Sequence, residues 1–96
     1  MSPLKRKKLS KIRLELDKLD NSLINIIKKR TNLVKKVLKL KDKKNQIVDK
    51  NRIKAILKNI KKKSLKNNID PKITNRIWKN MIWSYIDFER RNFKKK

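Results

Sequence analysis

The chain has 96 residues, with 32 lysines and arginines against 8 aspartates and glutamates, so its formal net charge is +24. It contains no cysteine and no histidine, which excludes disulfides, Cys/His zinc sites, thiol nucleophiles and the usual general base. A chain this short forms one domain with a modest core unless it shares surface with a second copy, so we expect oligomerisation.

The fold class predicted from composition and pattern is all-helical. Glycine is absent, and β-branched residues do not alternate with polar ones, so sheets would lack both their turns and their pattern. No apolar run approaches the roughly 20 residues that span a bilayer. The basic segment 1–8 is followed by no apolar signal-peptide region, and we predict it to be a flexible arm. We therefore expect a cytoplasmic protein that does not interact with membranes.

A single helical pattern extends from Leu9 to Lys41. Its apolar positions alternate steps of three and four, as in a helix that packs lengthwise against other helices: Leu9, Ile12, Leu16, Leu19, Leu23, Ile26, Leu33, Val37 and Leu40. Arg30 occupies one position of this stripe. A buried guanidinium needs an anionic partner, so Arg30 either binds an anionic ligand or sets the register of a helical bundle.

Three cations share one face of this first helix. Seventeen residues separate Arg13 from Arg30 and eleven separate Arg30 from Lys41, steps that return to within about 20° of one direction. Along the axis, Arg13 lies about 26 Å from Arg30, and Lys41 lies about 16 Å beyond Arg30. Arg30 and Lys41 could converge on a small ligand, but Arg13 could serve that site only from a second, antiparallel subunit. The alternative is that Arg13 and Lys41 are ordinary exposed cations.

Two further helices are predicted after a polar loop at 42–46. Asp49 is a good N-cap for a helix that continues to about Lys63, and Asp70-Pro71 is a strong start for the third helix. The predicted buried side of that helix contains Ile73, Ile77, Trp78, Met81, Ile82 and Tyr85. Glu89 follows on the same line and either pairs at an exposed helix end with Arg90 or Arg91, or points into the site that this line borders.

The order and spacing of these polar residues resembles the all-helical chorismate mutases. The matching features are Arg13, Arg30, Lys41, the Asp49-x-x-Arg52 motif and the Asp-Pro pair that opens the third helix. The resemblance covers a domain at 9–93, followed by a basic tail at 94–96. Members of this family are intertwined homodimers with three helices per chain and a long first helix, and each active site takes one arginine from the partner chain. The same architecture is therefore implied here.

The resemblance also implies roles for the matching residues. Arg13 from the partner chain and Arg30 would hold the two carboxylates of chorismate, and Lys41 would bridge a carboxylate and the ether oxygen. The remaining matching positions would close over the ring and its hydroxyl or contribute polar groups from the third helix: Asp49, Arg52, Tyr85 and Glu89. The reaction, chorismate to prephenate on the route to phenylalanine and tyrosine, needs no nucleophile, metal or cofactor. Glu89 could assist Lys41 at the ether oxygen only when protonated, because a carboxylate donates no hydrogen bond.

Two residues depart from the common mutase pattern. Ile53 follows Arg52 where mutases have a glutamate, and Tyr85 stands at a serine position. The chain resembles the isochorismate pyruvate lyase branch, which forms salicylate and pyruvate, in three features: an apolar residue after that arginine, the length of the loop, and an aromatic-Ile pair in the third helix. That branch has glutamine at the position of Glu89, which favours the mutase.

The alternative outside this fold family is a small basic nucleic-acid-binding protein. The net charge favours it, because lysines neutralise phosphates without regard to sequence. The chain has neither a recognised binding motif nor the glycine-bearing turn common in helix-turn-helix proteins. We therefore do not expect a nucleic acid partner.

Overall fold

The computed structural model describes residues 1–94, and this part of the chain contains three α-helices and no strand. Helix α1 spans Pro3–Leu40, α2 spans Lys50–Lys66 and α3 spans Pro71–Asn92, with a short 3-10 helix at Lys44–Gln46 between α1 and α2. The predicted all-helical fold with a long first helix is thereby confirmed. None of these helices combines the length and the apolar character needed to cross a membrane.

Helix α1 begins six residues before the predicted start. Ser2 caps it, since its Oγ accepts from the backbone N–H of Lys5 at 3.2 Å, and Pro3 takes the first helical position, where its missing N–H costs nothing. Residues 3–8 are therefore helical rather than the arm that the sequence predicted. At the other end of the chain, α3 continues to Asn92, and residues 95 and 96 of the predicted tail lie outside the described residues.

The chain divides into two compact units, of which the first contains residues 1–33 and the second begins at Val34. The first unit consists almost entirely of helix α1. No residue of α1 is buried, and most side chains of its apolar stripe are more than half exposed, for example Leu16 at 53%, Leu23 at 54% and Leu33 at 59%. A contiguous apolar face of this length is unusual on a monomer and is typical of a surface that a partner covers.

The second unit contains the end of α1, the connecting loop and the packed pair α2 and α3. Its buried apolar residues are Ile47 in the loop and Ile86 in α3. On the predicted face of α3, four residues are half-buried: Trp78, Met81, Ile82 and Tyr85. Ile73 and Ile77 are more than half exposed, contrary to expectation. At 100° per residue, Ile73 lies about 140° and Ile77 about 180° from Ile86 around the helix, so they cannot share its buried line.

The predicted helix starts and the break between α2 and α3 are confirmed. The Oδ1 atom of Asp49 accepts from the backbone N–H of Arg52 at 3.0 Å, and that of Asp70 accepts from Lys72 at 2.9 Å. After α2, Asn68 has φ 57°, a left-handed conformation that asparagine tolerates better than most residues. The next amide, that of Ile69, donates to the carbonyl of Ser64 at 2.8 Å and closes the helix end.

A buried pair of hydroxyl groups joins α2 to α3 beside this turn. Ser64 is 3% exposed, and its Oγ donates to the carbonyl of Ile60 at 2.7 Å. Its oxygen also lies 2.6 Å from Oγ1 of Thr74 in α3. Thr74 also has a backbone acceptor, the carbonyl of Pro71 at 3.3 Å, so either hydroxyl can be the donor in this contact. The pair therefore links the two helices at one register, with Ser64 buried and Thr74 half-buried.

We expect Ser64→Ala to lower the free energy of unfolding by about 1 to 2 kcal/mol, because it removes a buried hydrogen-bond partner of Thr74. The matched control is Ser84→Ala in α3, where an exposed serine donates to the carbonyl four residues earlier at 2.7 Å. That variant should change stability by less than about 0.5 kcal/mol. Denaturant unfolding at one fixed protein concentration measures both, and equal effects would contradict a special role for the buried pair.

Candidate active site

The centre of the candidate site is an ion pair between the end of α1 and the end of α3. The Nζ of Lys41 lies 3.2 Å from both carboxylate oxygens of Glu89. The side chain of Lys41 is 19% exposed and that of Glu89 is 7% exposed. Since Glu89 is buried, it is not the exposed helix-end residue of the first alternative. On the same helix end, Arg91 instead pairs with Asp87, at 2.8 Å.

The loop after α1 provides a third contact for the Lys41 ammonium. The carbonyl oxygen of Ile47 accepts from Nζ at 3.4 Å, and Ile47 itself is buried. Just before it, the side-chain oxygen of Gln46 accepts from the backbone N–H groups of Asp42 and Lys43, at 2.7 and 2.9 Å. The sequence predicts a polar loop at 42–46, without this turn. The signal that could have found this turn is an amide side chain three to four residues after a helix end, where it can cap free backbone donors.

An open cleft of about 630 Å³ borders Lys41. Two predicted site residues, Lys41 and Asp49, line it together with four that the sequence analysis missed: Gln46, Val48, Lys50 and Asn51. This volume is within the usual range for small-molecule sites. The cleft has apolar and polar walls, and its charged lining residues are Lys41, Lys50 and Asp49.

The other predicted residues of the second unit lie on the adjoining helix ends. Arg52 is exposed in the first turn of α2, and Tyr85 is half-buried in α3, one turn before Glu89. The carboxylate of Asp49 is already engaged as the N-cap of α2, so one of its oxygens is committed to the helix. Ile53, which follows Arg52, is half-buried.

The two remaining predicted residues, Arg13 and Arg30, lie on α1 in the first unit. Both side chains are exposed. They share a helix face but are separated by about 26 Å of helix axis, so one chain cannot bring both to the same small ligand. Because α1 is one helix through both residues, the distance between Arg13 and Arg30 is the one expected from the sequence. The prediction that a second subunit supplies Arg13 depends on this distance.

The chemistry available at Lys41 and Glu89 is electrostatic and proton-donating. A fixed ammonium in a partly desolvated site stabilises negative charge more strongly than it would in water. A carboxylic acid beside it can donate a hydrogen bond when protonated. Within residues 1–94, no three acidic side chains come together in a group that could hold a metal ion.

These features define the class as an all-helical domain that holds a lysine–glutamate pair beside an open cleft. The family model for chorismate mutase type II matches residues 12–90, which include most of α1 and all of α2. The chain therefore belongs to the chorismate mutase type II family, and the predicted resemblance is confirmed. Comparisons of the chain with curated proteins and with solved structures found no significant match.

Proposed function

We propose that the protein is a chorismate mutase, which converts chorismate to prephenate in the synthesis of phenylalanine and tyrosine. The observation that carries the proposal is the contact of Lys41 with Glu89 beside the cleft. It supplies a cation and a potential hydrogen-bond donor at one place, on a chain that belongs to the family of this enzyme. The pericyclic reaction needs only that pairing and a means of holding the dianion in its compact conformer.

In this mechanism, Lys41 contributes by charge and position. In the transition state the bond between the ether oxygen and its allylic carbon lengthens while a carbon–carbon bond forms, and negative charge develops on that oxygen. The Lys41 ammonium meets that charge from one side. Glu89, which accepts from the same ammonium as a carboxylate, could meet the charge from the other side only in its neutral form. Neither residue exchanges atoms with the substrate, so all atoms and electrons stay within the rearranging molecule.

The remaining recognition residues complete the proposed site. Arg30 and Arg13 of the partner chain bind the two carboxylates, and Asp49 and Arg52 close over the ring and its hydroxyl. Tyr85 contributes its ring and hydroxyl from α3, one helical turn before Glu89. Two carboxylates on one compact ligand explain why a site would use several cations, because Arg binds carboxylates through paired hydrogen bonds.

A second copy of the chain is the partner that we propose for the exposed stripe of α1. In a monomer of 96 residues, Leu16, Leu23 and Leu33 are more than half exposed. Burial of these side chains against a second copy would be favoured by the hydrophobic effect. An antiparallel arrangement of two α1 helices would cover this stripe and bring Arg13 of one chain to the site of the other. The support is the distance between Arg13 and Arg30 along α1, which a single site cannot span.

The second candidate activity is the lyase reaction, isochorismate to salicylate and pyruvate. The observation in its favour is the half-buried Ile53 after Arg52, where a glutamate would engage the substrate hydroxyl in a mutase. Tyr85, which stands at a serine position of the mutases, also favours the lyase. Glu89 favours the mutase, because the lyase branch has glutamine there.

Incubation of the purified protein with each substrate decides between these activities. Formation of prephenate from chorismate supports the mutase, and formation of salicylate from isochorismate supports the lyase. If neither substrate is consumed and the protein instead binds DNA in a salt-sensitive way, both enzyme proposals fail. The nucleic-acid-binding alternative would then account for the net charge of +24.

We expect Glu89→Gln to exceed the wild type in kcat/KM with chorismate, because the carboxylate that pairs with Lys41 has no hydrogen to donate to the ether oxygen, whereas an amide donates one. The matched control is Asp87→Asn, two residues earlier on α3, where the carboxylate is exposed and pairs with Arg91. An unchanged rate in Glu89→Gln, or an equal change in Asp87→Asn, would remove Glu89 from the proposed mechanism.

A further inference from the structure

Lys41 needs a precise position in the proposed mechanism, yet lysine has a flexible side chain with four methylene groups. We propose that Gln46 is a positioning residue for Lys41. It fastens the loop at 41–47, which carries Lys41 at its first residue and the Ile47 carbonyl at its last. This inference depends on the proposed function only for its kinetic consequence, because the fastening of the loop can be measured without any substrate.

Gln46 makes three hydrogen bonds within the turn that follows Lys41. Its Oε1 atom accepts from the N–H groups of Asp42 and Lys43, at 2.7 and 2.9 Å, and these are the two amides directly after Lys41. Its own backbone N–H donates to the carbonyl of Lys43 at 3.1 Å. The side chain and the main chain of one residue thus hold the same short turn closed. Since Lys41 precedes this turn, closing it fixes the direction in which the chain leaves α1.

Ile47 links this turn to the ammonium of Lys41. Ile47, the residue after Gln46, is buried, and its carbonyl oxygen lies 3.4 Å from Nζ of Lys41. The carboxylate of Glu89 lies 3.2 Å from the same nitrogen. An ammonium has three N–H donors, and its contacts with the Ile47 carbonyl and with both Glu89 carboxylate oxygens fix its orientation. One acceptor is anchored on α3, and the other is held in place by the turn that Gln46 closes.

Gln46 also lies beside the cleft. Gln46 and Lys41 line the same cleft of about 630 Å³. A change in the conformation of the turn would therefore alter the lining of the cleft where a ligand would bind. Gln46 itself is exposed, and water can replace the two hydrogen bonds of its side chain when it is removed. We therefore expect the loss of this residue to affect the position of Lys41 more than the stability of the fold.

The kinetic test uses Gln46→Ala and its conservative partner Gln46→Glu. A displacement of about 1 Å at a catalytic group can cost up to about a hundredfold in rate, so we expect Gln46→Ala to lower kcat/KM about tenfold. Gln46→Glu should keep most of the activity, because a carboxylate oxygen accepts from the same two amides. Asn45→Ala, one residue earlier in the same exposed turn, is the matched control and should have a wild-type rate. A wild-type rate in Gln46→Ala would overturn the proposal.

A double-variant cycle distinguishes positioning from a general structural role. If Gln46 acts through Lys41, adding Gln46→Ala to a Lys41→Gln chain should cause no further loss. A further tenfold loss in that background would mean that Gln46 acts by another route and would overturn the proposal.

The final measurement needs no turnover. Hydrogen exchange at the amides of Asp42 and Lys43 should accelerate in Gln46→Ala, and NMR relaxation should show a more mobile ε-methylene group in Lys41. Equal order of that methylene in both proteins would overturn the proposal even if the chain is active. If the wild type converts neither substrate, the proposed function fails, and this NMR comparison alone decides whether Gln46 positions Lys41.

Discussion

Lys41→Met is expected to lower kcat/KM with chorismate by at least about a hundredfold, the effect typical of removing one preorganised electrostatic contact to a developing oxyanion. The variant should also lose about 2 kcal/mol of stability, because Glu89 would remain buried without its cation. The loss should be smaller than for a fully buried pair, since the Lys41 side chain is 19% exposed. Steady-state kinetics and denaturant unfolding measure the two effects separately.

The double variant Lys41→Met/Glu89→Met separates catalysis from folding. Replacing both charges by apolar side chains of similar volume removes the unpaired carboxylate, and exchanges of this kind are often neutral for stability. We expect stability to recover and activity to stay low. Lys44→Met, in the exposed turn of the same loop, controls for the loss of a positive charge near the site and should have near wild-type kinetics. Activity that returns together with stability in the double variant would show that Lys41 acts only by holding the fold.

The helix starts in this chain could be predicted when a capping residue and the apolar pattern agreed. Asp49 and Asp70 are followed at once by apolar periodicity, and both caps are observed. At the first helix the two signals disagreed, because the apolar stripe starts at Leu9 while the cap and proline are Ser2 and Pro3. The local capping chemistry determined the observed start, and the basic residues between them are compatible with an exposed helix.

The buried face of α3 could be predicted only in part, because this helix has apolar residues around most of its circumference. Ile77 and Ile86 lie on opposite sides of it, and only the second is buried in the chain. Periodicity shows which residues share a face, but it does not show which of two apolar faces is buried within the chain.

The candidate site could also be predicted only in part. Lys41 and Glu89 were named from the family's pattern, but their contact joins residues 48 positions apart, which no local pattern reveals. The roles of the Gln46 side chain and of the Ile47 carbonyl were missed because they involve backbone groups in a short turn, and a polar loop gives no periodic signal. Residue types could therefore be predicted at the ends of helices, whereas the loop that connects them required coordinates.

Mixing two inactive variants should restore activity if each site takes residues from two chains. Arg13→Ala and Arg30→Ala are each expected to lose at least about a hundredfold in kcat/KM, because each removes a carboxylate contact of the dianion. In a mixed dimer, one site would receive intact Arg13 from one chain and intact Arg30 from the other, while the second site would lack both. Random exchange of equal amounts makes half of the dimers mixed, so about a quarter of the wild-type activity should return.

The recovery should need subunit exchange. Activity should appear only after the two variants are refolded together, and mass measurement in solution should show dimers in every sample. As a control, Arg30→Ala mixed with Lys41→Met should stay inactive if Arg30 and Lys41 serve the same site of one chain. This follows because every site of the mixed dimer would then lack one of them. Recovery in that control, or no recovery with Arg13→Ala and Arg30→Ala, would contradict the proposed donation of Arg13 by the partner. A wild-type rate in Arg30→Ala alone would instead show that this arginine sets the packing of α1.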